Sequence, residues 1–224
     1  MNLQKHYGFT LAEVLITLGI IGIVAAITIP ALNNKIQDEQ YKTAYKKAYS
    51  TISQAFLQAS QDSDIVELTG SWSSQGAEAN FSALKQRLKV VKSCNNSQSE
   101  GCWNVDGEQW RTENYLARGF VDNNGMAWKL RANDSSQLMP AILLDTNGNK
   151  APNVYGKDRF VLFFSKGSDS DAWSYLGSNS PIGMPTKISP MRDVPQNSTI
   201  TTEENTFCPS YKEISCNFTS WLFN

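Results

Sequence analysis

The segment GFTLAEV, residues 8–14, runs directly into the apolar sequence LITLGIIGIVAAITIPAL, residues 15–32. No charged side chain occurs from residue 14 to residue 32, and most positions hold Ile, Val, Leu, Ala or Gly. A helix from residue 9 to residue 29 would extend about 30 Å at ~1.5 Å per residue, which is enough to cross the apolar core of a bilayer. We therefore predict a transmembrane helix over residues 9–32.

The short N-terminal end before this helix predicts its orientation. It contains Lys5 and His6, whereas the long remainder of the chain follows the helix. Because basic residues that flank a membrane helix stay in the cytoplasm, the N-terminus is predicted to be cytoplasmic. The predicted protein is a single-pass protein of the inner (cytoplasmic) membrane with an extracytoplasmic head.

Glu13 is a carboxylate within this apolar stretch, where it needs either water or a cation as a partner. One interpretation is that Glu13 lies near enough to the lipid headgroups to stay hydrated. Another is cleavage between Gly8 and Phe9, which would create an α-amino group at the depth of Glu13 in a neighbouring subunit. The second interpretation predicts an ion pair between chains, and the residue types alone leave both open.

GFTLAEV and the apolar run after it resemble the prepilin methylation motif shared by type IV pilins and type II secretion pseudopilins. The resemblance implies that residues 1–8 are a leader peptide and that a prepilin peptidase cleaves after Gly8. It further implies that Phe9 is N-methylated, that Glu13 acts in subunit docking and that Pro30 kinks the helix. The motif covers the N-terminal part of the chain only.

Two other interpretations of this N-terminus remain open. One is an ordinary secretory signal with Lys5 as its basic end and cleavage near Val24-Ala25-Ala26. The other is an uncleaved anchor that tethers a domain to the membrane without assembly. Glu13 early in the apolar stretch argues against the secretory signal.

Apolar residues continue beyond Pro30 at spacings of three and four, up to about residue 60, as on one face of an amphipathic helix. They are Ile36, Tyr41, Ala44, Tyr45, Ala48, Ile52, Ala55, Phe56 and Ala59. The same periodicity predicts a second, short helix at residues 78–91.

Three strands are predicted at residues 125–130, 141–144 and 160–164, separated by turn-forming residues. A small antiparallel sheet needs a cover for one face, and the amphipathic half of the long helix supplies it. The predicted fold class is α+β, with a long N-terminal helix packed on this sheet, as the pilin resemblance also implies. The head would comprise residues 33–224, with a loop-rich stretch at 165–205.

The four cysteines occur as two close pairs, Cys94 with Cys102 and Cys208 with Cys216, although three pairings are possible in principle. Neither pair has the short spacing of a zinc knuckle, and no histidine lies nearby. We therefore predict local disulfides and an oxidising compartment. A bridge between Cys208 and Cys216 would also be similar to the C-terminal loop of many type IV pilins.

The sequence between the last two predicted strands is dense in oxygen donors. Asp145, Asn147 and Asn149 repeat the alternate spacing that begins an EF-hand loop, and Asp158 would close the site. Pseudopilins often carry a calcium loop in this region, so the resemblance makes calcium the one candidate cofactor, and otherwise no cofactor is expected. The alternative is a hairpin loop whose Asn and Asp side chains bond their own backbone.

Composition excludes several function classes. With 20 basic and 21 acidic residues, the net charge of −1 gives no field for binding nucleic acid, which is not an expected partner. The single histidine, His6, would leave with the leader, so no His-based catalytic site remains and no enzyme is predicted.

The sequence therefore predicts a structural subunit of a type IV pilus or a secretion pseudopilus. Its partners would be a prepilin peptidase, the inner membrane and other subunits in a helical polymer, with Gly19 and Gly22 allowing close helix contact. The alternative is a minor tip pilin or a membrane-anchored adhesion module. Pilus, pseudopilus and competence filament all remain open.

Overall fold

The computed structural model describes residues 8, 10–68, 74–95, 100–104, 118–131, 140–154, 157–166 and 183–190. Its elements are α1 (Leu11–Gln61), α2 (Ser74–Gln86), β1 (Val90–Cys94), β2 (Gly119–Asp122), β3 (Ala127–Arg131), β4 (Ala141–Asp145), β5 (Arg159–Ser165) and β6 (Lys187–Pro190). The chain divides into two units, Met1–Gln40 and Tyr41–Asn224. Helix α1 begins in the first unit and ends in the second, and the boundaries predicted for leader and head remain predictions.

Helix α1 is continuous over 51 residues, although Pro30 lies inside it. A proline removes one amide donor and crowds the preceding turn. The residues on both sides of Pro30 are nevertheless helical, so the structure shows no melted turn there. The helix ends in a left-handed cap, in which Ser63 has a φ of 61° and Asp64 N–H donates to Ala59 O at 2.9 Å.

The C-terminal part of α1 buries one face against the sheet. The buried residues are Tyr45, Ala48, Ile52, Ala55, Phe56 and Ala59. Their spacing of three and four confirms the predicted face from Tyr45 to Ala59, whereas Ile36, which was assigned to the same face, is 47% exposed. Ring centroids lie 4.2 Å apart for Tyr45 and Phe160, and 6.5 Å apart for Phe56 and Phe164. The predicted α+β fold, a long helix on a small antiparallel sheet, is confirmed.

The sheet has six antiparallel strands in the order β1-β2-β3-β4-β5-β6, so every strand pairs with its neighbour in sequence. The three predicted strands correspond to β3, β4 and β5. The strand predicted from residue 125 begins at Ala127, because Gly125 lies in the preceding turn with a φ of 79°. Strands β1, β2 and β6 were not predicted.

The helix predicted at residues 78–91 is wrong at its C-terminal end. Helix α2 ends at Gln86, and Val90 begins strand β1, where it lies opposite Asp122 of β2. Consecutive β-branched residues favour a strand, and this preference outweighs the continued helical spacing of apolar residues.

Strand β6 lies inside the stretch 165–205 that was predicted to be loop-rich. Its Ile188 and Ser189 are buried opposite Phe164 and Phe163. The rest of that stretch from residue 167 to 182 and from 191 onward lies outside the described residues. The prolines in and around β6 led to a loop prediction for these four residues. The edge of a sheet nevertheless tolerates proline, so a strand can form there.

Side chains of the sheet alternate between two faces, and both faces are buried. The face toward α1 is apolar and includes Trp128, Leu144 and Phe160, which lie in one cross-strand row. The opposite face includes charged residues that are at most 5% exposed, namely Lys129, Arg131, Asp145 and Arg159. The prediction of a cover for one face was therefore incomplete.

Candidate functional site

The predicted processing site lies at the start of the described chain. Gly8 is exposed, and a Cβ built on it would have no other atom within 4 Å. A peptidase must reach the backbone beside the bond that it cuts, and the backbone at Gly8 is open. Phe9 lies outside the described residues, so cleavage before it and its methylation stay predictions.

Glu13 and Thr10 form a reciprocal pair at the first turn of α1. Thr10 N and Thr10 Oγ1 both donate to Glu13 Oε2 at 2.8 Å, and Glu13 N donates to Thr10 Oγ1 at 3.3 Å. This arrangement is a capping box, which satisfies amide donors that a helix start leaves without partners. Thr10 was not predicted as a site residue, although a threonine three positions before a glutamate ahead of an apolar run is the signal for such a box.

The stretch of α1 from Leu11 to Leu32 presents apolar side chains to its surroundings. Its large apolar side chains are between 44% and 80% exposed. Thr17 Oγ1 donates to Glu13 O at 2.9 Å, so this hydroxyl is satisfied within the helix. Helix α1 is long and apolar enough to cross a membrane, by length and composition, and it fits a membrane anchor.

Gly19 and Gly22 lie three positions apart and therefore on one side of α1. A Cβ built on either glycine would have no other atom within 4 Å. Both positions are open to a second helix backbone, as the predicted close contact requires. The roles of Gly19, Gly22 and Pro30 in assembly stay predictions.

A second candidate site is the β4–β5 loop, residues 146–158, with Asp145 before it and Arg159 after it. Asp145 and Arg159 lie directly opposite each other in the register. Arg159 Nε donates to Asp145 Oδ2 at 2.8 Å, and the two side chains are 0% and 1% exposed. Arg159 Nη2 also donates to Asn153 Oδ1 at 3.0 Å and to Asn104 O at 2.6 Å. Arg159 was not predicted as a site residue, because a calcium site requires oxygen ligands and a guanidinium has none.

Asp158 holds the β4–β5 loop from inside. Its Oδ1 accepts the Val154 N–H at 2.7 Å, and its Oδ2 accepts the Asn153 N–H at 2.8 Å. Asn147 Nδ2 donates to the same Oδ2 at 3.1 Å. The Asp158 carbonyl also accepts the Thr146 N–H at 2.8 Å. One buried carboxylate therefore connects both ends of the loop.

Burial and charge act in opposite directions on the Asp145 carboxyl. Burial raises the pKa of Asp145 to about 7, although the hydrogen bond from Arg159 and its positive charge lower it. The nearby Asp158 carboxylate acts in the same direction as burial. Desolvation therefore has a larger effect on the pKa of Asp145 than the Arg159 guanidinium has.

Cys94 and Cys102 form a disulfide with a Cα–Cα distance of 6.2 Å, which confirms the predicted local pair. The bond closes residues 94–102, of which 96–99 lie outside the described part of the chain. We use the name disulfide loop for this closed segment together with the two residues that follow it, Trp103 and Asn104. Cys208 and Cys216 lie outside the described residues, so their pairing stays a prediction.

The disulfide loop rests on the β4–β5 loop. Asn149 Nδ2 donates to Gly101 O at 2.9 Å. The Trp103 ring lies 4.7 Å from Arg159 Cζ and 5.5 Å from Lys129 Nζ, measured to its centroid. Aromatic faces attract cations at such distances. The two loops therefore pack against each other on the face of the sheet that includes Lys129 and Arg159.

The structure brings together three of the four residues predicted to bind calcium. Asn147 bonds to both Asp145, through its N–H at 3.2 Å, and Asp158, whereas Asn149 bonds to Gly101. Within the described ranges, no three His, Cys, Asp or Glu side chains are grouped as a metal site would require. Calcium binding at these residues stays a prediction.

Comparison with known proteins bears on the N-terminus. Residues 3–29 match the family model for the prokaryotic N-terminal methylation motif. Neither a curated protein nor a solved structure matches the chain. The matched segment includes the exposed Gly8, the capping pair of Thr10 and Glu13, and most of the apolar stretch. Residues 3–29 of this chain therefore carry the N-terminal signature of type IV pilins and pseudopilins.

Proposed function

We propose that this chain is a structural subunit of a type IV pilus or a type II secretion pseudopilus. The observation that carries the proposal is the methylation motif at residues 3–29, which leads into a helix long and apolar enough to cross a membrane. In this role a prepilin peptidase removes residues 1–8, and the new N-terminus at Phe9 is methylated. The head stays extracytoplasmic, where the disulfide of Cys94 and Cys102 is stable.

The cleaved N-terminus supplies the cation that Glu13 needs. In the present structure, the Glu13 carboxylate is held by the N–H and hydroxyl of Thr10. A protonated amino group is a stronger partner for a carboxylate than a neutral hydroxyl. In the assembled filament, Glu13 therefore pairs with the Phe9 amino group of a neighbouring subunit, and this pair sets the axial stagger.

Helix transfer from lipid to the filament core completes the mechanism. Lipid tails are as apolar as leucine, so apolar contact alone does not favour a helix bundle over the bilayer. Close packing and polar registration do, and both are available on α1. Gly19 and Gly22 allow backbones to approach, while Glu13 selects the register.

The mature N-terminus tests this proposal most directly. Mass spectrometry of the protein isolated from membranes should give a first residue of Phe9 that carries one N-methyl group. A chain that still begins at Met1 would identify an uncleaved anchor, and a chain that begins beyond Ala26 would identify a secretory signal. Either of these results overturns the proposal.

Labelling of the head then separates the roles within a filament. A probe placed on an exposed head residue such as Lys157 should decorate the length of the shaft if the chain is a major subunit. Labels confined to the filament tip would instead identify a minor tip pilin.

A further inference from the structure

Three acceptors surround the Arg159 guanidinium, and they come from three separate parts of the chain. Asp145 lies at the end of β4, Asn153 lies in the β4–β5 loop, and Asn104 lies in the disulfide loop. The Arg159 side chain is fully buried beside them. A buried charge is stable only where such partners surround it.

The carboxylate oxygens expected to bind calcium already accept hydrogen bonds. Both carboxylate oxygens of Asp145 and both of Asp158 accept an N–H or the guanidinium. Calcium takes six to eight oxygens at about 2.3–2.6 Å. Asn147 Oδ1 is buried without a hydrogen-bond partner, but one such oxygen is far from a full shell. The donor set therefore does not fit calcium.

Charge gives a second reason. The guanidinium nitrogen of Arg159 lies 2.8 Å from Asp145 Oδ2, the oxygen that an incoming cation would have to share. A divalent ion placed there would be repelled by the guanidinium at short range in a poorly solvated site. Calcium at Asp145 would have to displace Arg159 Nε from Oδ2, and the guanidinium that would have to move packs against the Trp103 ring, with Cζ 4.7 Å from the ring centroid.

We propose that Arg159 is the resident cation of the β4–β5 loop, and that it fastens this loop to the disulfide loop without a metal ion. Arginine suits this role because its planar fork donates in several fixed directions and keeps its charge at every physiological pH. Nε serves Asp145, while Nη2 serves Asn153 and Asn104. The Trp103 ring covers the guanidinium from the side of the disulfide loop.

The first experiment asks whether the protein as it exists uses calcium. The full chain in detergent is unfolded by heat in excess EGTA and again in excess calcium. A ligand that binds only the folded chain raises the midpoint, by an amount that grows with the logarithm of its concentration above the Kd, and we expect no shift. Terbium(III) replaces calcium as a luminescent probe, and an ion at this site would lie near the Trp103 ring. We expect no tryptophan-sensitised emission, and emission that calcium displaces would overturn the proposal.

The second experiment removes the resident cation. Arg159→Gln keeps hydrogen-bonding atoms but loses the charge, and we expect its unfolding midpoint to fall by more than ~5 °C. Lys150→Gln is the matched control, because Lys150 is an exposed cation of the same loop, and its midpoint should stay unchanged. Equal midpoints for the two variants would overturn the proposal. If Arg159→Gln does not fold, the calcium and terbium measurements on the wild-type chain still decide the question.

Discussion

Asp145 Oδ2 and Arg159 Nε lie 2.8 Å apart across strands β4 and β5, and both side chains are excluded from water. The pair closes the base of the β4–β5 loop, where the two strands begin to separate. Burying an ion pair removes both charges from water, so its partners must be well placed for the fold to tolerate it. The stability of the head should therefore respond to changes in either member.

Asp145 should make stability depend on pH in a defined direction. Because burial raises its pKa from 3.8 to about 7, the folded chain holds this proton more tightly than the unfolded chain. The contribution of this group to stability is therefore fully present below about pH 4 and is lost as the pH rises through about 7. Thermal unfolding between these values should show a shallower profile for Asp145→Asn than for the wild type. Parallel profiles would contradict the prediction.

Glu13→Ala should leave membrane insertion intact and block entry into filaments. The substitution removes a charge from an apolar stretch, so α1 enters a bilayer at least as readily. Assembly loses the carboxylate that pairs with the neighbouring amino group. Immunoblots of membranes and of sheared filaments should show equal membrane pools and at least a ~10-fold loss from filaments, equivalent to ~1.4 kcal/mol.

A matched control for this test exists on the same helix. Asp38→Ala removes a carboxylate that follows the apolar stretch, and this variant should assemble normally. Filaments formed by Glu13→Ala in wild-type amounts would refute the role of Glu13.

Replacement of both Cys94 and Cys102 by serine should destabilise the head. The bond encloses a short loop with a sequence separation of 8, for which loop closure in the unfolded chain contributes ~2.5 kcal/mol. The loss is measured as the difference in free energy of unfolding by urea between the oxidised wild type and the serine variant. We also expect Asn149→Ala to cost less in the serine variant than in the wild type, because Asn149 bonds to Gly101 within the disulfide loop. Strict additivity of the two changes would show that the loops are not coupled.

Gly148→Ala should be more destabilising than Gly125→Ala. Both glycines have positive φ, 72° and 79°, so alanine is strained at either position. Only at Gly148 would the added Cβ also lie 2.6 Å from a backbone oxygen, that of Gly125. We expect a cost of ~1–2 kcal/mol for Gly125→Ala from strain alone and a larger one for Gly148→Ala, measured as the free energy of unfolding. Equal losses in the free energy of unfolding would mean that the backbone at Gly148 can move away from the Gly125 oxygen at little cost, and they would contradict the prediction.

The helical part of the fold could be predicted because its signals are local. A period of three and four identified the buried face from Tyr45 to Ala59, and the structure confirms it. The same signal failed after Gln86, where β-branched residues continue a helical spacing but pair with a strand instead. Periodicity alone does not show which partner a segment will find.

The strands were predicted where an apolar run or adjacent turn-forming residues identified them, as for β4 and β5 and for β3 respectively. Strands β4 and β5 have long runs of Ile, Leu, Val and Phe, whereas β1 is mostly exposed and contains Lys92 and Ser93. An edge strand of this kind is stabilised by hydrogen bonds to its neighbour rather than by its own burial. Strand β1 could therefore not be predicted from its own sequence, because it depends on pairing with β2.

The sequence by itself was sufficient to identify the methylation motif, the apolar stretch and the amphipathic face of α1, because each is a pattern of residues that are close together in the sequence. It was not sufficient for the surroundings of Arg159. Arg159 and Asn104 are 55 positions apart and become partners only when the strands are in register. The β4–β5 loop has the sequence pattern of a cation site, but in the folded chain the Arg159 guanidinium occupies the place of the ion. A buried charge needs partners within the fold, and only the tertiary structure supplies them.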